Sequence, residues 1–205
     1  LLIRDIVQRY RIKNTTVLDR LCNYLIDNIS NQTSVRNISA SLSADGFKTN
    51  HITAGNYVKA LCNAYAFYRI NRYDIQGKRY LSTQEKYYLA DHAFRYARLG
   101  TKNLNYGRTL ENIVVIELLR RGYEVYTGTL YGKEIDFVAL KRDEKFYIQV
   151  ADDISSPDKF QREFEPLLKI NDAYPKMIIA RTKHNEYDFE GIRIVDIARW
   201  LTENE

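Results

Sequence analysis

The chain has 205 residues, 45% of them hydrophobic, and a formal net charge of +5. That size allows one large domain or two small ones, each able to bury a core. No apolar run approaches the roughly 20 residues a membrane helix needs, and no signal-peptide pattern opens the chain, so no membrane partner is expected.

The chain starts LLIRDIVQRY, without Met, which suggests a fragment with further domains on its N-terminal side. Residues 17–29, VLDRLCNYLIDNI, carry apolar groups at helical spacing. Ser34 can cap a second helix over VRNISASLSA, ending near Gly46. Thr49 or Asn50 can cap a third, ITAGNYVKALCNA. The short turn DGFKTN between the last two gives a helix-turn-helix outline. YAFYRINRYDIQGKRYL alternates, is rich in Tyr and has Gln-Gly at its middle, so it reads as a hairpin. Three helices followed by a hairpin predict a winged helix over about 1–84. KYYLAD then reads as a separate short strand, HAFRYARL as a short helix, and LGTKNLNYG as the boundary, making 85–105 a connecting segment.

From Arg108 the pattern changes. TLENIVVIELLRRG predicts a helix stopped by Gly122. YEVYTGTL, KEIDFVAL and KFYIQVA are three strands with short turns. PDKFQREFEPLLKI is a helix with Pro157 at its start, where proline is best tolerated. PKMIIAR and IRIV are strands, and DIARWLTE closes as a helix. The order α-β-β-β-α-β-(β)-α predicts a mixed α/β domain over 106–205.

Charge is uneven. Residues 1–80 hold 12 Lys/Arg against 5 Asp/Glu, a net of +7, while residues 81–205 hold 19 against 21, a net of −2. The basic half suits an anionic partner such as DNA, or it is an ordinary solvated face. On the third helix Lys48, Thr49, Asn50, His51, Thr53, Asn56 and Lys59 could reach bases and phosphates. Arg69, Arg72, Lys78 and Arg79 on the hairpin could follow the backbone. Gly55 mid-helix costs about 1 kcal/mol and points to close packing there. Winged helices also dock proteins, so a protein or interdomain partner is the competing reading. The 17 tyrosines read chiefly as cross-strand packing rather than as stacking platforms.

Cys22 and Cys62 are the only cysteines, which suits a reduced, cytoplasmic protein better than a disulfide scaffold. His51, His92 and His184 are scattered, so neither a Zn site nor a Ser or Cys triad is expected. The chemistry-bearing stretch is instead KEIDFVALKRDEKFYIQVADD, residues 133–153. Strict alternation puts Ile135 and Phe137 on one face and Glu134, Asp136 and Val138 on the other. Tyr147, Gln149 and Ala151 likewise share a face. A hairpin between these strands brings Glu134, Asp136 and Gln149 together, and Glu111 borders the apolar stripe of the preceding helix. Oxygen ligands so placed are what Mg²⁺ or Mn²⁺ needs for phosphodiester hydrolysis, and Glu111, Glu134 and Asp136 are the candidate ligands.

This layout resembles the PD-(D/E)XK nuclease superfamily, which includes restriction-enzyme and junction-resolvase cores. There a helix Glu is followed by a strand Asp and then a strand (D/E)-x-K; Glu111, Asp136 and Gln149-x-Ala151 take those places. Gln149 is a neutral, weaker ligand than a carboxylate. Ala151 replaces the catalytic lysine, a loss of several powers of ten in rate. Lys159 or Lys169 could substitute, though no spacing demands it. The resemblance therefore implies an inactive or very weak site, without an assured Mg²⁺ or Mn²⁺ cofactor. KYYLADHAFRYA, LENIVVIELLRRGYEVYTG, EIDFVA, YIQVA, REFEPLLKI and YPKMII follow one another as in the C-terminal region of a family of prokaryotic AAA+-type P-loop ATPases, which the chain resembles. In those proteins an ATPase module precedes a winged helix and a degenerate nuclease-like fold. No G-x-x-x-x-G-K-[ST] occurs here, so ATP binding would belong to the full-length protein alone. The expectation is a DNA- or partner-binding region. The alternatives are an active Mg²⁺-dependent nuclease of junction-resolvase type and a protein-interaction module without nucleic acid, and a homo-oligomer is compatible with each.

Overall fold

A computed structural model describes residues 2–100 and 105–203. The chain is mixed α/β and divides into two compact units, residues 1–70 with 83–104 and residues 71–82 with 105–205. The division falls inside the predicted hairpin rather than after it. Of the expected boundary LGTKNLNYG, residues 101–104 lie outside the described residues.

The first unit starts with a helix that the sequence pattern does not announce, α1 (Leu2–Arg9). Three more follow, α2 (Thr15–Asp27), α3 (Val35–Ala44) and α4 (His51–Asn63). Four helices rather than three therefore precede the hairpin. Each of these three starts has a side-chain cap. Asn14, Ser34 and Asn50 accept from the backbone N–H of Val17, Asn37 and Thr53, satisfying donors no helical carbonyl can reach. Between the two cap candidates for α4, Asn50 is the cap. The apolar stripes of α2 and α4 meet in a core holding Leu18, Leu21, Leu25, Ile38, Leu61, Phe67, Tyr87 and Leu89.

β1 (Phe67–Asp74) and β2 (Arg79–Leu89) form the hairpin. KYYLAD is not a strand of its own: its first four residues are the end of β2. The continuity is physical, because Ser30 and Thr33 donate their backbone N–H to the Tyr87 and Glu85 carbonyls and so keep this end of β2 extended. α5 (Ala93–Leu99) closes the unit, with Arg98 reaching Asp19 at 2.8 Å and Asn23 at 2.7 Å.

Gly55 sits in α4 where an added Cβ would lie 3.4 Å from Val35 Cγ1, an ordinary separation that a side chain can accommodate. Gly55→Ala is therefore expected to raise stability by about 0.5–1 kcal/mol, since helix propensity improves without overpacking. Urea titration checks this as a higher midpoint.

The second unit begins at the hairpin tip and continues with α6 (Tyr106–Arg120), β3 (Glu124–Leu130), β4 (Lys133–Lys141), β5 (Glu144–Ala151), α7 (Pro157–Leu168), β6 (Lys176–Ala180), β7 (Tyr187–Phe189), β8 (Ile192–Asp196) and α8 (Ile197–Thr202). Strand order is β2-β1-β3-β4-β5-β6-β8-β7. β3, β4 and β5 pair antiparallel; β1–β3, β5–β6 and β6–β8 are parallel. On one face Tyr147, Ala151 and Ile178 meet Phe164 and Leu167 of α7. On the other, Phe146, Ile148 and Met177 line a cavity of about 150 Å³ with Leu118 of α6 and Trp200 of α8. Among the described residues no helix is long and apolar enough to cross a membrane.

Candidate functional site

Strict alternation fails in β4. Tyr126 pairs with Val138 but Gly128 pairs with Ile135, so two steps along β3 match three along β4. The extra residue is a β-bulge at Asp136–Phe137. It turns Ile135 to the same side as Val138, and both join one core cluster. The expected grouping of Ile135 with Phe137 is therefore corrected. Gly128 carries the consequence, because a Cβ there would lie 2.9 Å from Ile135 Cβ, 2.9 Å from Ile75 Cδ1 and 3.0 Å from Val138 Cγ2.

A bulge leaves backbone groups without ladder partners, and here side chains supply them. The Asp136 backbone N–H donates to Gln149 Oε1 at 2.7 Å. Asp136 Oδ2 accepts from the Val150 backbone N–H at 2.8 Å. Gln149 Nε2 then donates to Glu163 Oε2 at 3.2 Å, and Glu163 Oε1 accepts from Arg162 Nε at 3.0 Å. Gln149 and Glu163 are buried, 6% and 9% exposed. The amide suits this place because it accepts from one neighbour and donates to the next. A carboxylate at 149 could not donate to Glu163 and would add a like charge beside it.

The arrangement separates the predicted residues. Asp136 and Gln149 come together, as expected. Glu163 joins them, a residue the sequence reading does not single out. A signal for it exists: on α7 it stands three residues after Phe160 and four before Leu167, a carboxylate among apolar positions. Glu111 is half-buried on α6, whose packing side is the opposite face of the sheet from Gln149. Glu134 is half-buried near the start of β4. Among the described residues no three His, Cys, Asp or Glu side chains are grouped to hold a metal ion, so Glu111, Glu134 and Asp136 do not form the expected three-ligand set. Ala151 packs in the core beside Phe164. The two substitute lysines are engaged by acids: Lys159 pairs with Asp153, and Lys169 with Glu165 at 3.7 Å. The polar centre ties β4 to β5 and holds the Glu163 carboxylate against the Gln149 amide.

The basic candidates also divide. On α4, Ile52, Asn56, Lys59 and Asn63 are exposed at helical spacing, with His51 and Lys48 beside them. Thr49 and Thr53 are half-buried, and Asn50 is exposed with its Oδ1 accepting from the Thr53 backbone N–H as the cap. Arg69 and Lys78 are exposed. Arg79 is exposed but pairs with Asp74 at 3.2 Å. Arg72 does not follow a surface as expected. It is half-buried and donates to Thr129 Oγ1 at 3.2 Å, because β1 pairs with β3 at this point. Cys22, buried, and Cys62, half-buried, are free thiols, and burial pushes each up to about 11.

A second charged centre lies at the end of α6. Glu117 accepts from Arg120 at 2.6 Å and 2.7 Å and from Arg121 Nε at 2.7 Å. Arg121 also stacks 4.5 Å over the Trp200 ring and donates to the Trp200 carbonyl at 2.7 Å. Hydrogen bonding from Arg120, then Arg121, holds the Glu117 carboxyl down at about 2 from an ordinary 4.5. A depressed folded pKa stabilises above the unfolded value, so this contribution is full above about pH 4.5 and is lost as pH falls toward 2. Glu117→Gln is expected to remove on the order of 1–2 kcal/mol at pH 7, allowing for solvent screening, and to flatten the acid limb of stability. Denaturant titrations between those pH values check it.

A family model described as "Domain of unknown function (DUF8612)" matches residues 1–105. A protein of Haemophilus influenzae, described as an uncharacterized protein, is 39% identical over 201 residues, covering 98% of this chain and 50% of that protein. A second, from Methanocaldococcus jannaschii and also described as uncharacterized, is 28% identical over 203 residues, covering 94% of this chain and 44% of that protein. The chain thus spans about half the length of the curated relatives it matches. No solved structure matches.

Proposed function

The chain belongs to the domain-of-unknown-function family DUF8612, and from that premise we propose that it is the DNA- or partner-binding region of a P-loop ATPase, built from a winged helix and a nuclease-like domain that no longer hydrolyses DNA. The observation that carries this reading is the Gln149 amide. It is buried and engaged on both sides by Asp136 and Glu163, with Ala151 packed where a lysine would be needed. A nuclease scaffold whose polar centre is used for its own backbone keeps its shape and loses its chemistry.

Two further features support the binding role. The α2–α3–α4 succession followed by a hairpin fits a winged helix, and the exposed stripe on α4 carries Lys59 with Lys48 and His51 nearby. The matched relatives have about half their length outside the aligned region, room for an ATPase module. Duplex binding followed by fluorescence anisotropy tests the reading. Affinity is expected to fall linearly on a log–log plot against salt, and the Lys48→Gln/Lys59→Gln variant to reduce the slope by roughly 1 for each phosphate no longer neutralised. Salt-insensitive binding, or none, would count against DNA as the partner.

One observation favours a protein partner instead. Ile52 opens the exposed stripe at 65% exposure, an apolar side chain where a phosphate-facing helix would carry a polar one. If Ile52→Ser weakens capture of a co-purifying protein while duplex binding is absent, the docking reading takes over.

A further inference from the structure

Five tyrosines and one lysine form a continuous ladder in the second unit. The Tyr80 ring lies 4.9 Å from Tyr126 and 5.5 Å from Tyr73. Beyond Tyr73 stands Lys145, its Nζ 5.2 Å from the Tyr73 ring, 5.3 Å from Tyr147 and 4.7 Å from Tyr174. Tyr147 and Tyr174 meet edge to face at 6.5 Å. Packing explains the inner rungs, since Tyr73 and Tyr147 are buried. It does not explain the outer ones: Tyr80 is 61% exposed and Tyr174 44%.

The charges around the ladder are unbalanced in use, although not in number. Each nearby acid is engaged within the chain. Asp74 pairs with Arg79, and Glu124 accepts from the Tyr126 hydroxyl at 3.2 Å. Asp172 accepts from the Tyr147 hydroxyl at 2.6 Å and from the Tyr174 backbone N–H at 3.2 Å, with Lys176 at 4.0 Å. Among the described residues Lys145 and Lys78 have no ion-pair partner. Partial burial, together with the like charge of Lys78 and against the pull of Asp172, holds the Lys145 ammonium below its ordinary pKa. An anion arriving at this point would relieve that cost.

We propose that the ladder is a docking surface for single-stranded nucleic acid, with bases stacking on Tyr80 and Tyr174 and phosphates drawn to Lys145 and Lys78. Lys145 lies against both the Tyr73 and the Tyr174 ring, which sets a cation between aromatic faces. Aromatic faces take up unpaired bases whatever their sequence, whereas in a duplex those faces are already stacked. An acidic peptide could satisfy the lysines but would leave the rings unused. The inference deepens the nucleic-acid reading of the protein and rests on it, yet it concerns different residues from those on α4.

The test uses anisotropy with a labelled oligothymidylate of about 12 nucleotides, within the usual site size for stacking grooves, and an abasic strand of equal length. The wild-type chain is compared with Tyr80→Ala/Tyr174→Ala, Tyr80→Phe/Tyr174→Phe and Lys145→Gln. The Ala pair is expected to weaken oligothymidylate binding at least tenfold while the Phe pair binds as wild type, which separates lost stacking from lost folding. The abasic strand should bind at least tenfold more weakly than the oligothymidylate, and Lys145→Gln should reduce the salt slope. Equal affinity for the abasic strand, or an Ala pair that binds as wild type, overturns the ladder. Failure to bind duplex DNA would sink the α4 reading alone, so the two failures are distinguishable.

Discussion

Gln149→Leu is expected to destabilise the second unit by about 3–5 kcal/mol, the range for breaking a buried polar network on one side. Leu fills nearly the same volume, so the loss is not one of packing. The Asp136 backbone N–H would lose the acceptor it has at 2.7 Å. Glu163, 9% exposed, would keep only its bond from Arg162. Gln149→Glu separates the two causes. It retains an acceptor for Asp136 but sets a second carboxylate beside Glu163, so one of the two must take up a proton more readily than in the unfolded chain. A carboxyl with a raised folded pKa stabilises as pH falls, so Gln149→Glu is expected to recover stability between pH 7 and pH 5, whereas Gln149→Leu is not. Urea titrations at both pH values read the difference.

Gly128→Ala is the second large effect, about 1–3 kcal/mol of overpacking. The glycine is required here by space, not by backbone conformation. An added methyl would meet Ile135 Cβ and Ile75 Cδ1 at 2.9 Å each and Val138 Cγ2 at 3.0 Å. Ile135 Cβ is fixed to the backbone and cannot turn aside. The bulge has brought both Ile135 and Val138 over this one position, so relief would mean moving β4 away from β3. A lower denaturation midpoint with an unchanged m-value is the expected result. An unchanged midpoint would mean that the bulge can shift.

Much of the architecture is legible in the sequence because the local signals agree. Ser34 and Asn50 announce their helices, Pro157 opens α7, and Gly122 follows the end of α6 with φ +82°. Periodicity fails at one step. Alternation assumes one residue per rung, and nothing in EIDFVAL shows that two residues share a rung at Asp136–Phe137. α1 escapes notice because LLIRDIVQRY is short and lies outside the helix-turn-helix pattern. KYYLAD separates from the hairpin in the sequence because the backbone bonds to Ser30 and Thr33 that hold it extended come from far away in the chain. Glu163 is hidden for another reason. A lone carboxylate on a charged helix reads as solvated until the residue opposite it is known to be an amide. Arg72 illustrates the limit for binding surfaces: a cation on a hairpin reads as available, and only the pairing of β1 with β3 shows that Thr129 takes it.

We propose that the centre around Asp136 and Gln149 serves the fold of the second unit and not hydrolysis, because Asp136 Oδ2 accepts from the Val150 backbone N–H and Gln149 bridges Asp136 to Glu163. Incubation of the wild-type chain with labelled junction and duplex DNA in Mn²⁺ tests it most directly, with Asp136→Asn as the control. Asn keeps an oxygen to accept from Val150 and removes the charge a metal requires. The account predicts no cleavage by wild type above the level of Asp136→Asn. Mn²⁺-dependent cleavage by wild type that Asp136→Asn abolishes would contradict it.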